Sequence, residues 1–238
     1  MKLDILAIAA HPDDIELACS GTLASHRDMG YKVGILDLTK GEMGTRGTPE
    51  IRMQEAEASA EILGLSAREN LGFKDIYFKD DLDHQTAIAK VIRKYKPEIV
   101  LANAVRDRHP DHGKGGSLAS HACFISGLRK LETAIDGVPQ EVWRPKFVYH
   151  YIQNEFIEPD LVVDISDYWE TKKESILAFK SQFHDPNSKE PESFISRPEF
   201  LDFIEARARE LGHKINVKFG EGFTVERVAG VKDLFNLI

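Results

Sequence analysis

The stretch Ile5-Leu6-Ala7-Ile8-Ala9-Ala10-His11-Pro12-Asp13-Asp14 is the most informative part of this chain. Its uninterrupted apolar half is typical of a strand that is buried on both faces of a parallel sheet. The polar residues that follow therefore lie at the carboxyl end of a strand. In open α/β sheets this edge is where binding and catalytic sites form. We call residues 11–14 the first motif.

A second motif of the same kind, His109-Pro110-Asp111-His112, occurs in the middle of the chain. It comes shortly after the apolar run Ile99-Val100-Leu101-Ala102, which also predicts a buried strand. Parallel strands bring their carboxyl ends to the same edge of a sheet, so we expect the two motifs to meet. Two His/Asp clusters at one edge predict a single mononuclear metal centre with a carboxylate beside it.

The length and charge of the chain restrict its class. A chain of 238 residues fits one large domain, or one domain with an appended lobe. We expect a single domain over residues 1–238, with a Rossmann-like core at 1–135 that carries the metal site and a C-terminal extension at 136–238. The net charge is −8 and no basic patch dominates the sequence. This argues against a nucleic-acid partner and against an anionic membrane surface.

The N-terminus and the cysteines indicate a cytoplasmic protein. The apolar run before His11 is too short, and Asp4 comes too early, for a signal peptide. No apolar run approaches the length of a membrane span. Cys19 and Cys123 lack partners at metal-finger spacing, so we expect buried, reduced thiols in place of a disulfide or a thiolate metal site.

Strand-like and helix-like segments alternate along the first 135 residues. The predicted strands are 3–10, 32–39, 69–73 and 99–102, and the predicted helices are 15–29, 49–63, 85–95 and 114–131. This order implies right-handed crossovers and a largely parallel sheet. The fold class is therefore α/β, a Rossmann-like three-layer sandwich with a mostly parallel central sheet.

The alternation weakens beyond residue 135. Strands are predicted at 147–151, 161–165 and 220–225, and helices at 166–180 and 199–211, the last ending at Gly212. Residues 184–198 are rich in Pro, Ser, Asn and Asp, which is typical of an exposed loop. Such a loop serves either as a lid or as a subunit contact, and the sequence favours neither.

Three residues of the two motifs form a plausible metal-ligand set. His11, Asp14 and His112 supply two imidazoles and one carboxylate, and a catalytic zinc site takes three protein ligands and keeps one position for water. Asp14 follows His11 by about one helical turn, so both can face one ion. Sites of this kind discriminate poorly between divalent ions, so Fe(II), Mn or Co would also fit.

Asp13 and His109 are left over once these ligands are assigned. Asp13 is adjacent to a ligand and can reach a metal-bound water, which is the position of a general base. His109, as an imidazolium, could stabilise a tetrahedral oxyanion or protonate a leaving amine. Asp111 could hold the orientation of His109, as a carboxylate does for a catalytic histidine.

A purely structural interpretation competes with the metal centre. Pro suits the first position of a helix and Asp caps its N-terminus, so either motif alone would favour a cap. Capping does not require histidine, however, and it does not explain why both clusters follow strands of one sheet. The joint occurrence therefore favours a metal site.

Arg52 is a candidate for substrate binding. It lies in the first turn of the helix after the glycine-rich loop 41–47, where a cation is unfavourable for the helix dipole. It could grip a carboxylate or hydroxyls of a substrate bidentately. The competing interpretation is an arginine that pairs with Glu55, three residues later on the same helix face.

Several stretches along the chain carry a resemblance to a known family. They are the first motif, Gly21-Thr22-Leu23-Ala24, Thr39-Lys40-Gly41-Glu42-Met43-Gly44, Arg52 with Glu55-Ala56, Arg108 with the second motif, Ser181-Gln182-Phe183, and Glu221-Gly222-Phe223. In this combination the chain resembles the PIG-L-like (LmbE-like) N-acetylglucosamine deacetylases. Its length and late motifs are most similar to the bacillithiol-biosynthesis deacetylases.

This resemblance implies a zinc hydrolase that removes acetate from the 2-acetamido group of a glucosamine derivative, N-acetylglucosaminyl malate in the bacillithiol branch. By motif position it implies zinc ligation by His11, Asp14 and His112, a general base at Asp13, an oxyanion stabiliser or acid at His109 oriented by Asp111, and substrate binding by Arg52. Relatives in this branch form hexamers, so we expect a homo-oligomer.

Two further functions stay open at this point. The same site could act on free N-acetylglucosamine, short chitin oligomers or another acetamido-sugar conjugate. A non-catalytic metal- or sugar-binding module is the other alternative. Asp13 argues against that module, because a pure binding site has no use for an unligated carboxylate beside the metal.

Overall fold

The computed structural model describes residues 1–183, 186–233, 235 and 237–238, and its central feature is a seven-stranded sheet. The strands in chain order are β1 (Ile5–Ala9), β2 (Val33–Thr39), β3 (Ala67–Phe73), β4 (Ile99–Ala102), β5 (Ala134–Ile135), β6 (Val138–Pro139), β7 (Phe147–Tyr151), β8 (Leu161–Asp164) and β9 (Gly220–Val225). The order in the sheet is β3-β2-β1-β4-β7-β9-β8, and β5 pairs with β6 in a separate hairpin.

Helices accompany the strands along the whole chain. They are α1 (Asp14–Ala18), α2 (Ser20–Asp28), α3 (Pro49–Leu63), α4 (Leu82–Tyr95), α5 (Pro110–Ile125), α6 (Trp169–Leu177), preceded by the 3-10 turn Ser166–Tyr168, and α7 (Glu199–Lys214). No helix in the described ranges combines the length and the apolar character needed to cross a membrane.

The sheet is mostly parallel, which confirms the predicted fold class. β3, β2, β1, β4 and β7 pair in parallel, and only β9 runs antiparallel to its neighbours β7 and β8. β1 lies between β2 and β4, so the winding direction reverses at this strand. Such a switch point leaves a crevice at the carboxyl ends of the two central strands, and both motifs follow those ends.

Alternate residues of β1 face two different helical layers, as the period of a strand requires. Leu6 and Ile8 pack in a cluster with α4 and α5. Ile5, Ala7 and Ala9 pack in a second cluster with residues of α1, α2 and α3. All five side chains are buried, so the apolar run before the first motif is the centre of the three-layer sandwich.

The single helix predicted at 15–29 is wrong, because the structure has two helices that meet at Cys19. In a continuous helix the backbone N–H groups of Gly21 and Thr22 would bond to carbonyls four residues earlier. Here both N–H groups donate to the carboxylate of Glu221, at 3.0 and 2.6 Å. A residue at the other end of the chain therefore interrupts this helix.

The helix predicted at 114–131 also has the wrong limits, since α5 begins at Pro110 and ends at Ile125. The early start follows from a cap that His109 provides through its side chain. The early end coincides with the buried guanidinium of Arg93, which donates to the backbone carbonyls of Ser126, Leu128 and Leu131 at 2.6–2.9 Å. These contacts hold the chain after Ile125 in a non-helical path.

In the extension, the predicted helix limits differ less from those of the structure. The helix predicted at 166–180 begins as a 3-10 turn and ends at Leu177, and α7 continues through Gly212 to Lys214. Gly212 does not end the helix; a Cβ there would lie 2.8 Å from the backbone nitrogen of Phe219, so this glycine permits close packing before β9. Of the predicted loop 184–198, His184 and Asp185 lie outside the described residues, and 186–198 contains no helix or strand.

Glu221, whose carboxylate separates α1 from α2, also forms a buried ion pair with Lys172. This ion pair gives a test of the fold. The Nζ atom of Lys172 lies 2.6 Å from Oε1 of Glu221, and both residues are buried. We expect Glu221→Gln to lower the free energy of unfolding by about 3–5 kcal/mol, because the lysine charge stays buried without its partner. Urea denaturation followed by circular dichroism measures this change.

The matched control is Glu205→Gln. Glu205 pairs with Arg209 at the same distance of 2.6 Å, but on the exposed face of α7. Exposed pairs contribute less than about 1 kcal/mol, so this variant should differ little from the wild type. Equal losses in the two variants would contradict the structural role given to Glu221.

Candidate active site

The two motifs meet in one crevice at the switch point of the sheet. The imidazole of His11 lies 4.8 Å from that of His109 and 5.6 Å from that of His112, measured between ring centroids. The rings of His109 and His112 are 5.0 Å apart. The strand ends therefore converge as the parallel sheet requires.

Asp14 is the hub of this crevice. Its Oδ2 atom accepts hydrogen bonds from the backbone N–H of His11 and from Nδ2 of Asn103, both at 3.0 Å. Its Oδ1 atom lies 3.0 Å from Nε2 of His112 and accepts from Nε2 of Gln153 at 3.1 Å. Burial opposes the ionisation of Asp14, but the neighbouring imidazoles of His112 and His11 lower its pKa well below the usual range.

The two predicted histidine ligands each face a further carboxylate with their other nitrogen. Nδ1 of His11 lies 3.6 Å from Asp14, whereas Nε2 lies 3.1 Å from Oδ1 of Asp75. Nδ1 of His112 lies 2.6 Å from Oδ2 of Asp107. Metal-binding histidines commonly bond a carboxylate in this way, which fixes the tautomer and the ring orientation. The donor set of His11 Nδ1, Asp14 and His112 Nε2 therefore fits a divalent metal ion.

Side chains that could hold a metal ion form two compact groups within the described ranges. The ligand atoms of His11, His109 and His112 lie within 4.8 Å of one another, and so do those of His11, Asp75 and Asp111. Both groups contain His11, which supports a metal ion in this crevice. The choice of Asp14 over His109 as a third ligand stays a prediction.

Asp13 is held apart from the ligand set by an unusual backbone conformation. Its φ of 105° lies in a region that residues other than glycine rarely adopt, and strain of this kind concentrates at functional sites. Oδ2 of Asp13 accepts a hydrogen bond of 2.6 Å from Nη2 of Arg52. Burial raises the pKa of Asp13 to about 6, against the opposing charge of Arg52.

Arg52 does not form the predicted alternative pair with Glu55. The carboxylate of Glu55 instead accepts hydrogen bonds from the backbone N–H and the hydroxyl of Ser181, at 2.6 and 2.7 Å. Arg52 is buried beneath Gly41, where any Cβ would collide with its guanidinium. Its Nε atom has no hydrogen-bond partner among the described residues, although the side chain lines the crevice.

His109 caps the N-terminus of α5. Its Nδ1 atom accepts the backbone N–H of Asp111 at 3.3 Å, so in the neutral ring the proton resides on Nε2. Burial, and then the charges of His11 and His112, lower the pKa of His109. His109 can therefore donate a hydrogen bond from Nε2 as a neutral imidazole.

The carboxylate of Asp111 does not orient His109, which corrects the prediction from the sequence. Oδ2 of Asp111 lies 3.4 Å from Nε2 of His11 and accepts the backbone N–H of Ile76 at 2.9 Å, and Oδ1 lies 2.6 Å from Nζ of Lys114. The physical reason is the early start of α5, which places Asp111 in its first turn. The backbone of Asp111 orients His109, while its side chain supports His11.

Four polar residues that contact His11, Asp14 or His112 in the described part of the chain are absent from the predicted set. They are Asp75, Asn103, Asp107 and Gln153. Asn103 and Gln153 come directly or almost directly after β4 and β7, so a search for polar residues at the predicted strand ends would find both. Asp75 and Asp107 lie in irregular segments, and no motif marks them.

The motifs open into a larger space that we call the outer crevice, with a volume of 290 Å³. Its walls include Thr45 and Arg46 of the glycine-rich loop, Gln182 of the extension, and Arg52. The walls therefore combine hydrogen-bonding and cationic groups, which suits a polar ligand.

The chain is similar to known proteins over most of its length. Residues 6–123 match the PIG-L family, described as GlcNAc-PI de-N-acetylase. A diacetylchitobiose deacetylase of Thermococcus kodakarensis is 33% identical over 192 residues, which cover 75% of this chain and 70% of that protein. A 4-oxalmesaconate hydratase of Pseudomonas putida is 29% identical over 195 residues, which cover 75% and 74%.

A solved structure shares the fold over nearly the whole chain. A conserved protein of Thermus thermophilus superposes with a TM-score of 0.85 at 36% identity, over 97% of this chain and 98% of that one. The segment matched by the family includes both motifs, Arg52, Asp75 and Asp107. With the site, the fold and these identities in agreement, the chain belongs to the PIG-L family.

Proposed function

We propose that this protein is a metal-dependent hydrolase that removes the N-acetyl group from a glucosamine derivative. The observation that carries the proposal is Asp13, a buried carboxylate that lies beside the ligand set and is held by Arg52 at 2.6 Å. Membership of the PIG-L family and the similarity to a diacetylchitobiose deacetylase support the amide of an acetamido sugar as the bond that is cleaved.

A zinc ion held by His11, Asp14 and His112 is part of this proposal. Two imidazole nitrogens and one carboxylate oxygen suit zinc, and they also suit Fe(II) or another divalent ion. Such an ion, when bound, polarises the amide carbonyl and lowers the pKa of water at its open position.

The remaining residues carry out the proton and charge transfers. The carboxylate of Asp13 accepts a proton from the attacking water and returns it to the nitrogen of the leaving amine. Arg52 holds Oδ2 of Asp13 in place during both transfers. Nε2–H of His109 donates to the carbonyl oxygen as this atom gains negative charge. The products are acetate and a free glucosamine.

The sugar derivative that we propose first is N-acetylglucosaminyl malate, the substrate of the bacillithiol branch. The cations Arg46, Arg52 and Arg108 line the outer crevice, and guanidinium groups suit the carboxylates of malate. Free N-acetylglucosamine or chitin oligomers are the alternative, which the similarity to a diacetylchitobiose deacetylase supports. The homo-oligomer and the cytoplasmic location stay predictions.

A hydratase is the second candidate function. The 29% identity with a 4-oxalmesaconate hydratase favours it, and activation of water by a metal and a carboxylate serves either reaction. Two assays separate the deacetylase from the hydratase. One measures acetate release from N-acetylglucosaminyl malate, N-acetylglucosamine and diacetylchitobiose, and the other measures consumption of 4-oxalmesaconate. If the protein converts only 4-oxalmesaconate, the proposed deacetylase function is wrong. If the metal-loaded protein converts none of these compounds, the non-catalytic metal- or sugar-binding module is favoured.

The metal centre predicts a selective loss of metal. His112→Ala removes one of three ligands, so we expect the zinc content after dialysis to fall at least about tenfold. His121→Ala is the control, because His121 is an exposed histidine that also pairs with a carboxylate, Asp80, at 2.8 Å. Metal analysis by mass spectrometry measures both variants. Full zinc content in His112→Ala would refute this ligand assignment.

The carboxylates behind the ligands give a finer prediction. Asp107→Asn should weaken zinc affinity about 10–100-fold, because it removes the negative charge that orients and polarises His112. Asp80→Asn alters the corresponding contact of His121 far from the ligands, and its zinc affinity should stay at the wild-type level. Competition with a chromophoric chelator measures these affinities, and equal values for both variants would exclude the role given to Asp107.

Asp13 predicts a loss of turnover without a loss of metal. Asp13→Asn keeps the shape of the side chain but cannot accept the proton, so kcat should fall about 10²–10⁴-fold. Zinc content should stay unchanged, since Asp13 lies outside the ligand set. Asp83→Asn, at an exposed position of α4, serves as the control. Near-normal turnover of Asp13→Asn would mean that another group is the base.

A further inference from the structure

A second cavity adjoins the predicted metal ligands. Unlike the outer crevice, it is not lined by the glycine-rich loop. This inner cavity has a volume of 80 Å³, and Asp14 and His112 form part of its wall. Leu17, Phe194 and Ile195 line both the inner cavity and the outer crevice. The two spaces therefore meet at the predicted ligands, where the scissile carbonyl of a substrate would lie.

Apolar side chains of the extension form a large part of the wall of the inner cavity. They come from α7 and the segment before it, and they are Ile195, Phe200, Phe203, Ile204, Ala208 and Leu211. Leu17 and Ala18 of α1, together with Ile152 and Phe194, add to the apolar wall. A surface of this composition favours an apolar group through the hydrophobic effect.

Most charged groups on the wall have partners within the protein, and the guanidinium of Arg108 stacks on the ring of Phe194 at 4.1 Å. Lys172 pairs with Glu221 at 2.6 Å, and Asp107 pairs with His112 at 2.6 Å. Arg207 donates to two backbone carbonyl groups, at 2.8 and 3.1 Å. These paired groups offer a polar ligand few free hydrogen-bonding atoms, and such a ligand would lose its own hydration on entry.

An N-acylated sugar has two parts that extend from the scissile amide in different directions, a polar sugar and an apolar acyl chain. The outer crevice is larger and has the more polar walls, which suits a sugar, whereas the inner cavity is smaller and more apolar. We propose that the inner cavity binds the acyl group and admits linear acyl chains longer than acetyl. This inference rests on the proposed deacetylase function and widens its substrate class to short N-acyl glucosamine derivatives.

The size of the inner cavity sets the expected chain length. A water molecule, which is close to a methyl group in size, occupies about 30 Å³. A volume of 80 Å³ is therefore larger than the volume of the methyl group of an acetyl chain. It is close to the volume of the three carbons that follow the carbonyl in a butyryl group. We expect an octanoyl chain, which has seven carbons after the carbonyl, to exceed this space.

The position of these residues in the chain also bears on specificity. The family match ends at residue 123, whereas the wall residues from Phe194 to Leu211 all lie beyond it. The matched segment supplies the ligands and the proposed base, and the extension supplies the surface that faces the acyl chain. Chain-length preference should therefore respond to changes in α7 that leave the metal centre intact.

The test compares kcat/KM of the zinc-loaded protein for N-acetyl-, N-propionyl-, N-butyryl- and N-octanoylglucosamine carrying the same aglycone. We expect kcat/KM for the propionyl and butyryl compounds to lie within about tenfold of the value for the acetyl compound. The value for the octanoyl compound should be at least about 100-fold lower than that for the acetyl compound, because pockets discriminate between chains by methylene groups on this scale. A 100-fold fall from acetyl to propionyl would overturn the inference and leave the deacetylase standing. Release from none of the compounds would overturn both.

Two variants locate the effect in the inner cavity. Ala208→Leu fills the cavity and should lower the ratio of butyryl to acetyl kcat/KM about tenfold. Ala206→Leu makes the same change on the exposed face of the same helix and should keep the wild-type ratio. Phe203→Ala, at a partly exposed wall position, opens the cavity and should raise the octanoyl to acetyl ratio about tenfold, which tests the proposal even if Ala208→Leu does not fold.

The aglycone is the competing occupant of the inner cavity. Methyl and octyl glycosides of N-acetylglucosamine test it with the same variants. If Ala208→Leu and Phe203→Ala change the preference between these glycosides and leave the acyl ratios unchanged, the cavity binds the aglycone and the inference is wrong.

Discussion

A buried carboxylate, Asp14, is the interaction on which the site depends. A charge that is removed from water needs several partners, and Asp14 finds them at the ends of three adjacent parallel strands. The backbone of His11 follows β1, Asn103 follows β4, and Gln153 follows β7, while His112 reaches the same carboxylate from α5. These contacts join separate segments of the chain into one constellation, and they place the predicted metal ligands beside Asp13, the proposed base.

A second buried carboxylate, Glu221, connects this constellation to the extension. It accepts hydrogen bonds at the start of α2, directly after the short helix that carries Asp14, and it pairs with Lys172 of α6. The inner cavity lies at this junction. The extension is therefore part of the site, because it supplies a wall of the space next to the ligands and adds strands β7, β8 and β9 to the sheet.

The elements that the sequence predicts well are those with local signals. α3 begins at Pro49 and ends before Gly64, whose φ of 61° suits glycine, and both limits agree with the prediction. The two largest errors in the predicted helix limits depend on distant residues. Glu221 interrupts the predicted first helix, and Arg93 binds the carbonyls that follow α5. Periodicity and capping residues contain no information on such contacts, since the partner lies far away in the chain.

The same division holds for the site. The sequence by itself determined that two His/Asp motifs follow buried parallel strands, and the geometry of parallel sheets then requires that they meet. Only the tertiary structure decided which carboxylate serves which histidine: Asp111 supports His11 and not His109, and Asp107 holds His112. It also decided that Arg52 pairs with Asp13 and not with Glu55. The physical reason is that motif spacing sets the strand end at which a side chain lies, whereas its hydrogen-bond partner depends on directions that packing imposes.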